Sequence, residues 1–491
     1  MTKNWNPQYV QHLLEPHFKQ AKTHFLLPLL EISRAHAIML FGCDLLTKPV
    51  AQKILAALDH VDSDSLVYSQ NFEDLFFALE AQLIEKTETI GNLQIARSRN
   101  DVDAALIRMV LRQKTLEMMA SFEQLAFVLH QKALEGVTWL MPGYTHHQPA
   151  QPTTLGHYLT GILGVLGRDL KRLKAAYSSI NASPLGAVAM TGTGFPIDRQ
   201  VMADLLGFDS ILENGIDAVG AADHSLELLS ALQICNTTLS RLTHDLIFWA
   251  SQETNFFRVA DSFVQISSIM PQKRNPVVLE HIRAKLARAS GASQSAFNMC
   301  NKIPFGDVND VAEPLLPVSL AALEDSQAAV LLLSVVLEVS NFNVLKMQQA
   351  AGQHFITATG LADALVGIGL TFKQAHEVVS KIVDYAMQHN LKSTDITALM
   401  VQSVSSIPLE ITDSFVQDAL DPNNFVQRRT TFGGSSPKTV QHSLEQIKIV
   451  LEQNKNWRLE QLQKLADAQE KLKSMSRQIQ SSTAETTAKS V

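Results

Sequence analysis

Apolar residues recur at helical spacing along most of this chain. Between Asp223 and Gln252 there is neither proline nor glycine, and Leu228, Leu232, Cys235, Leu239, Leu242, Leu246 and Trp249 fall alternately four and three apart. That is a heptad seam, and it requires a partner helix from this chain or from another copy. Asp101 to Glu135 also lacks proline and glycine, and a second helix follows Pro152 and runs to about Ile180. Val277 to Lys302 and Leu315 to Ala350 bring the long helices to five. The pattern predicts an all-α fold: an elongated central bundle of five long helices flanked by two smaller helical domains. Pro28–Leu46, Val50–Leu58 and Glu73–Ile84 predict the helices of an N-terminal domain over residues 1–110. The bundle then takes 111–354, with a non-helical loop at 262–276, and a C-terminal helical domain takes 355–450. Residues 451–491 read as a charged helix, Asn456 to Gln480, and a Ser/Thr-rich tail that frays.

Composition narrows the class. With 491 residues and 46% hydrophobic content, the chain can bury more than one core. The formal net charge of −7 and the absence of a basic patch argue against nucleic acid. Cys43, Cys235 and Cys300 are far apart, with neither a disulfide framework nor zinc spacing, which fits a reducing compartment. The first residues lack the apolar core of a signal peptide, and no uncharged run reaches the ~20 residues that span a bilayer. The expectation is a soluble cytoplasmic protein.

The loop at 262–276 carries candidate chemistry. Ser267 to Pro276 reads Ser-Ser-Ile-Met-Pro-Gln-Lys-Arg-Asn-Pro. Lys273 and Asn275 sit two apart, so an extended backbone points both the same way. Hydroxyls at one end with an ammonium and an amide at the other suit a carboxylate ligand, although composition alone also fits a polar interhelix loop. The ordered string resembles the signature loop of the fumarase/aspartase superfamily, G-S-S-x-M-P-x-K-x-N-P. Its Met-Pro-Gln-Lys-Arg-Asn-Pro portion is most like the argininosuccinate lyase branch. Ile266 stands where that family has glycine.

Three further stretches carry the resemblance, which covers roughly residues 15 to 450. Arg97-Ser98-Arg99-Asn100-Asp101 matches the order R-S-R-N-D. Read as residues, it is either a cradle for a dianion, since guanidinium groups pair carboxylates through two hydrogen bonds, or a helix start capped by Asn100 or Asp101. Pro142-Gly143-Tyr144-Thr145-His146-His147-Gln148 falls on the family's P-G-Y-T-H-x-Q, with His147 in place of an apolar residue. Leu30 to His36 resembles the segment that supplies a substrate-binding serine, here Ser33. Glu73, Asp74 and Glu80 match a fourth, weaker stretch in which Phe76 replaces histidine. The Pro184-Leu185-Gly186 and Ile197-Asp198-Arg199 turns read as structural.

The resemblance implies a reaction and a cast of residues. A proton leaves the carbon beside a carboxylate, an amine departs from the neighbouring carbon, and fumarate results. By resemblance Ser267 and His146 are the acid/base pair, with Ser267 favoured as base and the assignment between the two left open by the sequence, Glu280 is the carboxylate that holds this histidine, and Lys273 is the cation facing the charge that develops. Ser33, Arg97, Ser98, Arg99, Asn100, Thr145, Ser268 and Asn275 are the expected substrate contacts. The resemblance also implies a homotetramer around a central helical bundle, with each active site built from three subunits, and it implies neither metal nor organic cofactor. The substrate class is an N-substituted aspartate, and the expected activity is cleavage of argininosuccinate to arginine and fumarate in arginine biosynthesis.

The amine half departs from the family. Ala222 replaces an arginine, and Asp307, Ala312 and Leu315 stand where tyrosine, glutamine and lysine are expected. Donors lost beside a charged ligand cost several kcal/mol (about 2–7). Two alternatives arise: the same elimination on a different N-substituted aspartate, or a catalytically silent helical scaffold. Adenylosuccinate or aspartate fits the motifs less well.

Overall fold

The computed structural model describes residues 5–482, the side chains of 312 and 313 excepted. Seven long helices organise it: α1 (Glu15–Gly42), α2 (Arg99–Glu135), α3 (Leu155–Ile180), α4 (Asp223–Trp249), α5 (Val277–Met299), α6 (Ala312–Val339) and α7 (Pro437–Ser481). Helices α2 to α6 form the bundle, with α4 packed on α3, α5 and α6, and α2 on α3 and α6. The heptad seam of α4 is buried along its whole length within this one chain. Its partner helices are therefore internal.

The boundaries differ from expectation at three places. First, α1 begins well before Pro28 and carries that proline inside it. Second, the helix expected over Leu315–Ala350 stops at Val339. Asn341–Phe342 instead pairs antiparallel with Phe257–Arg258, and the Phe342 ring packs against Phe257 and Trp249 at 5.0 and 6.5 Å. A new helix, Val344–Ala351, then starts with Asn343 as its cap. Third, α7 starts not near Asn456 but at Pro437, where Ser436 accepts a hydrogen bond from the Thr439 N–H. Serine at the cap and proline at the first helical position form a start signal. Helix α7 runs back along α1, α2 and α3, fastened by Arg458 on Glu123 at 2.8–3.0 Å and by Trp457 edge-on to Tyr177. The expected frayed tail lies, from residue 483 onward, outside the described residues.

Outside the bundle, shorter helices Lys48–Asp59 and Leu75–Lys86 share a second apolar cluster with α1 and the first turns of α2. A third cluster lies within residues 361–420. Two segments, Pro7–Gly42 and Pro314–Val339, are apolar and long enough to cross a membrane by composition, yet 56% of each apolar window is buried inside the protein, as in the core helix of a bundle.

The two turns read as structural hold the beginning of α2. Asp101 is 2% exposed, and its carboxylate accepts hydrogen bonds from the N–H groups of Ser98, Gly186 and Val188. Arg199 donates to the carbonyls of Leu185 and Leu212, clamping the same turn from behind. Burial pushes the Asp101 carboxyl up to about 6, opposed by the Gly186 and Val188 N–H groups. Asp101→Ala would leave buried backbone donors without an acceptor, at roughly 1–3 kcal/mol each. Thermal melting should show a large loss for D101A and a smaller one for D101N, which keeps an acceptor oxygen.

Candidate active site

The sequence-predicted residues fall into three groups on the protomer. The first is a hairpin of β1 (Leu140–Thr145) and β2 (Gln148–Thr154), whose two-residue loop is His146-His147. Both histidines have positive φ, +54° and +59°. Two successive left-handed residues make the turn that matches strand twist, a place where Asn-Gly is the usual choice. Side chains pay about 1–3 kcal/mol each for that conformation, and such strain is concentrated at functional sites. The two imidazoles, adjacent in sequence, separate here. His147 packs edge-on against His244 of α4 at 6.0 Å, and Tyr144 likewise against Phe248 at 5.4 Å, so the hairpin is pinned to the last turns of α4. His146 is exposed and has no hydrogen-bond partner among the described residues. Thr145, also exposed, ends β1 beside it.

The second group is the signature stretch, itself a hairpin. Strands β3 (Gln265–Ile266) and β4 (Arg274–Asn275) pair antiparallel, and residues 267–273 form the loop between them. Ile266, at the glycine position of the family, lies in β3 opposite Arg274, where a β-branched residue suits the strand. Arg274 is tied to Asp261, and Asn275 Nδ2 donates to the Gln265 carbonyl at 3.1 Å, so that amide braces the hairpin. Ser267 Oγ accepts hydrogen bonds from the N–H groups of Ile269 (3.3 Å) and Met270 (3.1 Å). Two donors aimed at one hydroxyl oxygen favour negative charge on it. Ser268 and Lys273 are exposed, and Lys273 has no ion-pair partner among the described residues. Ile266 and Ile269 are 76% and 86% exposed, an apolar tip left uncovered within one chain. Glu280 lies one turn into α5, exposed, and no hydrogen bond joins it to His146 among the described residues.

The third group surrounds the start of α2. Ser98, rather than Asn100 or Asp101, is the helix cap: its hydroxyl accepts from the Asn100 N–H, and Asp101 answers from the third position. Asn100 Nδ2 donates to the Ala189 carbonyl at 3.2 Å. The two arginines of the predicted cradle both have partners within this chain, with the Arg97 guanidinium buried and Arg99 part-exposed. Arg97 donates to Ser33 Oγ at 3.0 Å and lies over the Phe76 ring, and burial lowers its pKa to about 10. Arg99 is paired with Asp74 and lies over Phe77. Ser33 is 2% exposed, accepts from Arg97 and donates to the Leu29 carbonyl, so it too serves the fold. Phe76, the residue in place of the family's histidine, is what carries the Arg97 guanidinium.

Sequence reading missed His224 and Ser225. They sit in the first turn of α4 and line a small cavity with Asn100, Asp307 and Leu315. An Asp-His-Ser string at a helix start gives no warning of this.

Helix geometry sets the spacing of the groups. Asn100 begins α2, and the His146 hairpin follows its far end at Glu135. At 1.5 Å per residue the two ends are roughly 50 Å apart. Along α4, His224 marks the Asn100 end and His244 the His146 end, roughly 30 Å apart on the same rise. One four-carbon ligand cannot reach both ends of one chain.

The lyase family matches residues 30–291, and the argininosuccinate lyase C-terminal family matches 355–427. Argininosuccinate lyase 1 of Shouchella clausii is 36% identical over 454 residues, 90% of this chain and 91% of that protein. Argininosuccinate lyase of Methanothrix thermoacetophila is 34% identical, over 86% of this chain and 87% of its own. Among solved structures, a variant of EDDS lyase with bound fumarate superposes with a TM-score of 0.86 at 30% identity, covering 98% of this chain and 97% of that one.

Proposed function

The chain belongs to the argininosuccinate lyase family of carbon–nitrogen lyases, and on that premise we propose that it eliminates arginine from argininosuccinate, releasing fumarate. The observation that carries the proposal is the pair of backbone N–H groups converging on Ser267 Oγ. A serine hydroxyl is a poor base unless its alkoxide is stabilised, and these donors supply stabilisation in a loop that also presents Lys273. The Ser267 alkoxide takes the proton from the carbon next to a carboxylate. The electron pair left behind spreads into that carboxylate, and the Lys273 ammonium faces the added charge. Removing one such preorganised donor costs about 3–4 kcal/mol. As the carbon–carbon double bond forms, the carbon–nitrogen bond breaks, and the departing guanidino nitrogen takes a proton from His146. Glu280 from a neighbouring protomer would fix the tautomer of that imidazole and raise its basicity. Ser98, Asn100 and Thr145 would hold the four-carbon half, with Asn275 bracing the hairpin.

The reading requires an assembly. Asn100 and His146 stand at opposite ends of α2, so a site using both takes them from different protomers, which supports a homotetramer with shared sites. The exposed Ile266 and Ile269 tip would be covered in the same assembly. A place in arginine biosynthesis goes with the proposed product.

The same elimination on another N-substituted aspartate has less behind it, because curated argininosuccinate lyases match the chain over 86–90% of its length. The silent-scaffold alternative gives way to membership of a lyase family. The test is a panel of N-substituted aspartates followed by fumarate absorbance. Argininosuccinate should give the highest kcat/KM, and a faster alternative substrate would overturn the assignment.

A further inference from the structure

Among the described residues, the hairpin that carries His146 is held along both of its strands and, at its tip, by one ring contact. Along β1, the Tyr144 ring meets Phe248 of α4 edge-on at 5.4 Å. Along β2, Gln151 donates to Thr359 Oγ1 at 3.0 Å. Just past the strand, the His157 ring joins Thr153 Oγ1 at 2.8 Å and the Gly433 carbonyl at 3.0 Å. At the tip, neither His146 nor His147 makes a side-chain hydrogen bond among the described residues, and the contact there is the His147 ring edge-on to His244 at 6.0 Å. The end of α4 that presents His244 is itself fixed. Asp245 accepts a hydrogen bond from the Tyr158 hydroxyl of α3 at 2.5 Å, and the Tyr158 ring lies 4.8 Å from that of Trp249.

Both residues of the turn are left-handed without being glycine, at +54° and +59°. A backbone held there relaxes unless its surroundings over-determine it. Relaxation of a two-residue turn moves the imidazole of its first residue, so the tip contact sets where His146 points. Position 147, apolar in the related lyases, here carries a flat ring, and its plane stands at 83° to that of His244. Edge-to-face is a favoured arrangement for aromatic rings. We infer that His244 is a positioning residue for the elimination. It holds the His147 ring, and through it the His146 imidazole, in the place from which the departing nitrogen is protonated. The inference rests on the role proposed for His146 and deepens it. The role asks for a flat ring at 244 and not for a proton on that ring.

The contact can be removed without changing the turn itself. His244→Ala should lower kcat and kcat/KM for argininosuccinate by the same factor, about 2- to 10-fold, the worth of one aromatic pair acting only on the proton-transfer geometry. His244→Phe, which keeps a flat ring and loses the titrating nitrogens, should return kcat to near the wild-type value. His244 is exposed, so both variants should melt with the wild type. The double variant H147A/H244A should be no slower than H147A, since both changes remove one shared contact. A wild-type kcat in H244A would overturn the inference. So would an H244F enzyme as slow as H244A, because the imidazole and not the ring would then matter. His146→Asn is the reference. An unchanged kcat in H146N would remove the role of His146 and His244 with it, whereas an inactive H146N beside an unaffected H244A removes His244 alone.

Discussion

Replacing Ser267 by alanine is expected to lower kcat by about 10²- to 10⁴-fold, the range of a positioned proton acceptor. KM should change little, because Lys273 and the four-carbon contacts remain. The loss should not come from unfolding. Ser267 lies in an exposed hairpin loop, and the two N–H groups that converge on it can turn to water. Melting temperature is therefore expected to hold within a degree or two, as for surface changes of about 0.5 kcal/mol or less. Ser268, its neighbour, has no such pair of donors among the described residues and serves as the control, with S268A retaining most of kcat. Fumarate absorbance under saturating argininosuccinate gives both numbers. A kcat for S267A within tenfold of wild type would remove the serine from the role of base and move the search to His146.

The parts of the fold readable from sequence were those in which one periodicity governs a long run. The α4 seam from Leu228 to Trp249 is buried at every position expected, because a heptad repeat dictates a face whatever partners meet it. The signature stretch was readable because its prolines exclude a helix and its order is specific. Long-range capture was not readable. Nothing near Arg97 or Arg99 signals that Ser33 and Asp74, distant in sequence, take the two guanidinium groups. A string rich in arginine looks the same whether it awaits a ligand or fastens a helix to its domain. Helix α7 reads from Asn456 by its charge pattern, whereas its true start is set by Ser436 capping a helix that begins at Pro437. The break after Val339 depends on Phe342 meeting Phe257 and Trp249, a packing event that no local pattern announces. The preference for His146 rests on the motif, and nothing in the sequence announces that His147 meets the His244 ring.

Activity is expected to return when two inactive variants are mixed. Asn100→Ala damages the α2 start, and His146→Asn damages the hairpin beside the other end of α4, roughly 30 Å away by helical rise. Each variant alone should be reduced by at least about 10²-fold, His146 as a proton-transfer residue and Asn100 as a fixed contact to the reacting half. In a hybrid assembly, a site that draws Asn100 from an H146N chain and His146 from an N100A chain is whole. With equal amounts and random assembly, about a quarter of the sites meet both conditions, half for each independent choice of protomer. Co-expression, or dissociation and reassembly of the purified variants, should therefore recover about a quarter of wild-type turnover. If one protomer supplied both residues, each site in the mixture would keep its own defect and activity would stay at the level of the single variants. The same measurement reads the assembly and the chemistry together, since recovery requires that both residues act and that they come from different chains.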